Sequence, residues 1–178
     1  RKGTSTIVAL TMGEQDIDAY TARDQARPKR DAYVGMLPPK LAQTIINLAV
    51  GQVALDAKTP ADQSILDPFC GTGVLLQEAL LMGYDVQGTD LEPRMVEYSI
   101  ENITWLRERW RRATGKVRIQ LGDARPHTWQ QPITAVAAET YLGKPLKSIP
   151  PSDVMRTMVE EVNLLHKKFF QNLHGQIA

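Results

Sequence analysis

The stretch Ser64-Ile65-Leu66-Asp67-Pro68-Phe69-Cys70-Gly71-Thr72-Gly73-Val74-Leu75-Leu76 constrains this chain more than any other. A short apolar run ends in an acid, breaks into glycines and restarts with apolar residues of helical character, the pattern of strand, tight turn and helix. Gly71 and Gly73 permit positive φ and close backbone approach, so the turn can offer its N–H groups and the following helix N-terminus to a negative or polar ligand. Asp67, at the carboxyl end of the strand, adds an acceptor where open α/β sheets place their ligands. A dinucleotide fingerprint would continue with glycine at position 76, where the chain has Leu76, and a phosphate loop would need Gly-Lys-Ser/Thr, which is absent. Both nucleotide readings weaken, and an ordinary βα turn stays open as the plainer alternative.

Context comes from the rest of the chain. Thr6 to Leu10 is β-rich, Met12 to Asp16 carries turn residues and Ile17 to Thr21 alternates, so Ser5 to Ala22 reads as a hairpin. Arg23 to Asp31 is a charged linker, either a solvated connection or a patch for phosphates. Gly35-Met36-Leu37-Pro38-Pro39 is a rigid turn that starts a helix, with Leu41, Ile45, Leu48 and Ala49 at helical spacing. Val74 to Met82 is a helix stopped at Gly83, and Asp85 to Thr89 is a second strand ending in Asp90. Pro93 opens another helix, with Val96, Ile100, Ile103 and Trp110 on one face. Arg107, Arg109, Arg111 and Arg112 crowd its end, where they suit the helix dipole or form a binding patch.

Val117 to Leu121 and Ile133 to Ala138 read as third and fourth strands, running into Gly122-Asp123 and Glu139. Pro151 to Asn172 is a long helix striped by Val154, Met158, Val162, Leu165 and Phe169. Gly175 to Ala178 reads as the first residues of a fifth strand, which predicts that the sequence is a fragment. Alternating strands and helices imply an α/β fold, a doubly wound parallel sheet. The division is residues 1–34, an N-terminal hairpin and basic linker, and residues 35–178, the core.

At 178 residues, 43% apolar and 23% charged, the chain can bury one sizeable core. A net charge of +1 and a pI near 8.0 carry no global nucleic-acid signature, so only local clusters can argue for one. The single cysteine, Cys70, excludes an intrachain disulfide and, with no adjacent base, reads as a small packed residue rather than a nucleophile. With no signal-peptide h-region and no apolar run near the roughly 18 residues a membrane helix needs, the expectation is a soluble, cytoplasmic protein. His127, His166 and His174 lack ligand spacing, so no metal is assigned.

Four successive strands finish on an acid: Asp67, Asp90, Asp123 and Glu139. Parallel strands bring these ends to one edge, so the four acids should converge on one crevice. Asp90 ends the second strand, where a carboxylate can accept both hydroxyls of a ribose. An adenosine ligand without phosphates fits, and S-adenosylmethionine is such a ligand: its carboxylate at the Gly71 to Gly73 turn, its ribose on Asp90, its adenine near Asp123, its sulfonium toward Asp67 and Glu139. Pro68, Phe69, Thr72, Leu91 and Ala124 adjoin these positions and complete the expected cofactor contacts.

Asp67-Pro68-Phe69-Cys70-Gly71-Thr72-Gly73 resembles the D-P-F-C-G-T-G signature of class I methyltransferases that modify exocyclic amines in RNA. Upstream, Arg27-Pro28 followed by Gly35-Met36-Leu37-Pro38-Pro39-Lys40-Leu41-Ala42 is similar to the segment before that signature in the tRNA guanine-N2 methyltransferases of archaea and eukaryotes. The resemblance implies S-adenosylmethionine as cofactor, tRNA as partner, a Rossmann-like class I methyltransferase sheet of seven strands whose last is antiparallel, and a THUMP RNA-binding domain ahead of the catalytic domain. The chain would then be a catalytic domain lacking its last strands. In that family the fourth strand ends in Asp/Asn-Pro-Pro-Tyr, whereas this chain has Glu139-Thr140-Tyr141-Leu142-Gly143. Glu139 becomes the expected acceptor for the amine and Tyr141 the stacking platform, with Arg23, Arg27, Lys29, Arg30, Lys144 and Lys147 as the basic residues expected near RNA phosphates. Two other readings stand beside this one: an amino-methyltransferase of DNA adenine or a small molecule, and a cofactor-binding scaffold without catalysis.

Overall fold

The computed structural model describes residues 7–32, 37–51, 60–143, 146 and 148–177. Gly35, Met36, Lys144, Lys147 and Ala178 lie outside the described residues. The elements are α1 (Ile17–Gln25), α2 (Pro39–Val50), a 3-10 turn (Pro60–Asp62), β1 (Ser64–Asp67), α3 (Val74–Leu81), β2 (Asp85–Asp90), α4 (Pro93–Arg109), β3 (Val117–Leu121), β4 (Ala135–Val136) and α5 (Ser152–Ile177).

The strands form one parallel sheet in the order β3-β2-β1-β4. Central β1 is buried at every position, as a strand covered on both faces must be. Its side chains alternate: Ile65 packs with Val86, Ala135 and the apolar sides of α2, α3 and α4, whereas Leu66 packs with Trp129, Phe169 and Leu173 beneath α5. Each face of the sheet therefore has its own core and its own helices. The doubly wound α/β architecture expected from the alternating pattern is the one observed.

Several expectations are corrected. Ile17 to Thr21 is not a strand but the start of α1, because the Asp16 carboxylate caps the helix by accepting a hydrogen bond from the Ala19 N–H at 2.9 Å. Ile7 to Asp16 forms neither helix nor strand, so the described part of the hairpin does not exist. The charged segment Arg23 to Asp31 is not a wholly solvated linker: Arg23 lies within α1, and Arg23, Arg27 and Asp31 are buried while Pro28 and Arg30 are exposed.

Helix α2 starts at Pro39 as expected but buries Ala42, Ile46 and Val50, leaving Leu41 and Leu48 exposed. On α4 the buried face is Met95, Ser99, Asn102, Ile103 and Leu106, while Ile100 is exposed. On α5, Phe169 is buried and Met158, Val162 and Leu165 are half-buried, but Val154 faces solvent. That helix runs on through Ile177, so residues 175–177 are its last turn and not a fifth strand. The extension is held by Asn172 Nδ2, which donates to the Ala124 and His127 carbonyls, and by Gln176, which donates to the His127 carbonyl and accepts from the Trp129 N–H. Strand β4 is shorter than expected, so Glu139 sits in the loop that follows it.

Candidate active site

The turn after β1 is built by its glycines. Gly71 and Gly73 adopt φ of +51° and +80°. A Cβ on Gly73 would also lie 2.8 Å from Ser99 Oγ and 3.2 Å from Ser99 Cα, so position 73 is closed to larger residues by both conformation and space. Two polar residues on the inward face of α4 brace the turn from behind. Ser99 Oγ donates to the Gly71 carbonyl at 2.8 Å, and Asn102 Nδ2 donates to the Thr72 carbonyl at 2.9 Å. Both are fully buried. Sequence reasoning missed them; the available signal was a pair of polar residues three apart in the buried phase of an amphipathic helix.

The β2 end closes the front of the turn. One Asp90 oxygen accepts from the Gly71 N–H and the other from the Glu92 N–H, both at 2.9 Å, which leaves each oxygen a second lone pair for a ligand. Asp67 is 2% exposed, and its carboxylate accepts only the Phe69 N–H among the hydrogen bonds described. Burial, reinforced by the charges of Asp90 and Glu139, pushes its pKa up to about 8, against a weaker lowering by the Phe69 N–H. Cys70 is buried under the turn, and burial pushes its thiol well above the ordinary range, which suits packing and not attack.

A cleft of about 920 Å³ opens over this edge. Asp67, Asp90, Asp123 and Glu139 all line it, as do Pro68, Phe69, Gly71, Thr72, Leu91, Ala124 and Tyr141. The four acids converge as the parallel topology requires. Gly73 does not line the cleft; it shapes the turn as the residue preceding α3. Asp123 is already engaged: Arg125 Nε bonds both of its oxygens, at 2.9 and 3.0 Å, and the guanidinium holds the carboxyl below its usual range. Arg125, which also lines the cleft, was not anticipated, and neither was Leu165 from α5.

The basic residues placed upstream do not meet the cleft. Arg27 is 3% exposed, so its guanidinium is not available to a phosphate at the surface. Lys29 is tied to Asn102 through its backbone, and its ammonium pairs with Glu101 at 3.3 Å and sits 5.2 Å from the Tyr98 ring centroid. Arg30 is exposed and is not among the residues lining the cleft.

Residues 15–101 match a family model described as DNA methylase. A tRNA (guanine(10)-N2)-dimethyltransferase from Methanothermobacter thermautotrophicus is 31% identical over 158 residues, covering 87% of this chain and 40% of that protein. The enzyme of the same description from Pyrococcus abyssi is 29% identical over 142 residues, covering 78% of this chain and 35% of that protein. The chain thus spans less than half the length of these curated relatives. Among solved structures, TrmN from Thermus thermophilus superposes with a TM-score of 0.57 at 21% identity, over 94% of this chain and 41% of that one. The chain has the class I S-adenosylmethionine-dependent methyltransferase fold and is related in sequence to the tRNA (guanine(10)-N2)-dimethyltransferases.

Proposed function

We propose that the cleft binds S-adenosylmethionine and that the chain transfers a methyl group to an exocyclic amine of an RNA base, guanine N2 in tRNA. The observation that carries this reading is the convergence of Asp67, Asp90, Asp123 and Glu139 around the glycine turn, in a chain related to tRNA guanine-N2 methyltransferases. The cleft suits the cofactor: its volume lies within the usual range for small-molecule sites, and its walls pair the four strand-end acids with apolar groups such as Phe69, Leu91 and Ala124. Asp90, Asp67, Gly71 and Thr72 are the residues that would hold the cofactor, with Pro68, Phe69, Leu91, Asp123 and Ala124 around it and Gly73 shaping the turn from behind. When bound it would supply an electrophilic methyl group on a sulfonium.

The protein's part is to make a poor nucleophile react. The lone pair of an exocyclic amine is delocalised into the ring, so acceptors must hold its hydrogens and aim the nitrogen. Glu139, exposed in the loop after β4, accepts a hydrogen bond from the amine and then its proton. Tyr141, 42% exposed at the cleft wall, stacks on the base once it is turned out. Glu139→Ala is expected to lower methyl transfer by about 100-fold or more while leaving S-adenosylmethionine affinity within a fewfold. Turnover equal to wild type removes Glu139 from the reaction.

A second reading, methylation of an adenine amine in DNA, draws support from the description of the matched family model. Labelled S-adenosylmethionine supplied with unmodified tRNA or with DNA, followed by nucleoside analysis, separates the two. Label in N2-methylguanosine supports the first, label in N6-methyladenine of DNA supports the second, and no incorporation with the cofactor bound favours a non-catalytic scaffold.

A further inference from the structure

A second cleft, of about 580 Å³, lies at the far end of α4, between that end and α1. Its walls include Tyr20, Trp110, Arg109, Arg111 and Arg112. The arginines need a reason to be there. Arg107 is used within the fold, donating to the carbonyls of Ala113 and Gly115 in the loop beyond, and Arg109 in the last turn suits the helix dipole, which leaves Arg111 and Arg112 without that role. Arg111 and Arg112 lie past the end of the helix, both are exposed, and neither makes an ion pair within the described residues. Arg109 stacks over the Trp105 ring at 5.1 Å from its centroid, which holds its guanidinium in place without neutralising it. Glu108 and the helix-capping Asp16 are the acids in the cleft.

We infer that Arg109, Arg111 and Arg112 form a phosphate-binding site for RNA, separate from the methyl-transfer cleft. Guanidinium groups clustered in this way match phosphate oxygens, each with a fork of donors. The placement defines the kind of RNA. Helix α4 starts beside Asp90 and has 17 residues, so at about 1.5 Å per residue its two ends are roughly 25 Å apart. A single-stranded trinucleotide in the active cleft does not reach the arginines; a folded RNA of several helical turns does. The inference rests on the proposed RNA substrate and adds a second anchoring point on it.

The test measures binding of unmodified tRNA as a function of salt for wild type and for R109A/R111A/R112A, with R109K/R111K/R112K to separate charge from packing. Thermal unfolding and S-adenosylmethionine affinity serve as folding controls. The alanine variant is expected to bind about tenfold more weakly or worse at moderate salt, with the slope of log affinity against log salt reduced by roughly 2 units, and the lysine variant is expected to recover most of the slope. A wild-type slope in a folded alanine variant overturns the site, and so does failure of wild type to bind tRNA at all. Binding that depends on these arginines without methylation keeps the site and rejects the proposed reaction, so the two inferences fail separately.

Discussion

Asp67 shows how one buried carboxyl reports on a whole site. It sits in the cleft floor with Asp90 and Glu139 near enough to repel its charge, and its native pKa is about 8 against 3.8 in the free side chain. Between about pH 4 and 8 the native state therefore holds a proton that the unfolded chain has released. Stability conferred by the neutral carboxyl falls as pH rises through that window, by no more than about 1.4 kcal/mol per pH unit, and levels off above it. Urea unfolding of wild type and Asp67→Asn at pH 5, 6.5 and 8 checks the sign: the asparagine variant gains relative to wild type as pH rises. A constant difference between the two would mean that Asp67 is already ionised in the folded protein.

Among the elements, α1, α2 and α3 are joined by a single carboxylate. Glu78 of α3 accepts from Arg23 Nε of α1 and from Gln43 Nε2 of α2, each at 2.6 Å, and Gln43 accepts in turn from the Tyr20 hydroxyl. Arg23 and Glu78 are 3% and 1% exposed, so removing one leaves a buried charge alone. Glu78→Ala is expected to cost about 3–5 kcal/mol in denaturant unfolding, and Arg23→Met with Glu78→Leu much less. A cost below about 1 kcal/mol for the single variant would show that α1 is held by other contacts.

This network also explains the limits of sequence reading. The strand, glycine turn and helix from Ser64 to Leu81 were legible because glycine conformation, apolar alternation and helix spacing agree over a few residues. Helix α1 was misread because the alternation of Ile17 to Thr21 outweighed its local Asp16 cap, and the contact that packs it lies elsewhere: Arg23 finds its partner 55 residues away. For the same reason the convergence of the four acids on one cleft was legible, being fixed by topology, while the placement of Ser99, Asn102 and Arg125 was not, since it depends on which groups come to face them.

At the scale of the molecule, the sheet separates two cores, and the cleft opens at the edge where β1 and β2 end. Helix α5 contributes Leu165 to that cleft, while Phe169 packs edge-on against Phe69, 5.2 Å between centroids, at the start of the turn. The two faces thus meet at the site.

Asn102 ties a third, distant part of the chain to that edge. Its Nδ2 is shared between the carbonyls of Thr72 and Lys29, and its Oδ1 accepts the Lys29 N–H at 2.9 Å. Residue 29 belongs to no helix or strand, yet its amide is clamped by the same side chain that holds the glycine turn. Its hydrogen exchange should therefore be slow and should rise and fall with that of the turn, although ordinary loop amides exchange freely. In Asn102→Ala the two should loosen together. Fast exchange at Lys29 in wild type would show that the clamp is open in solution; slow, coupled exchange would make this amide a reporter of events in a cleft it does not line.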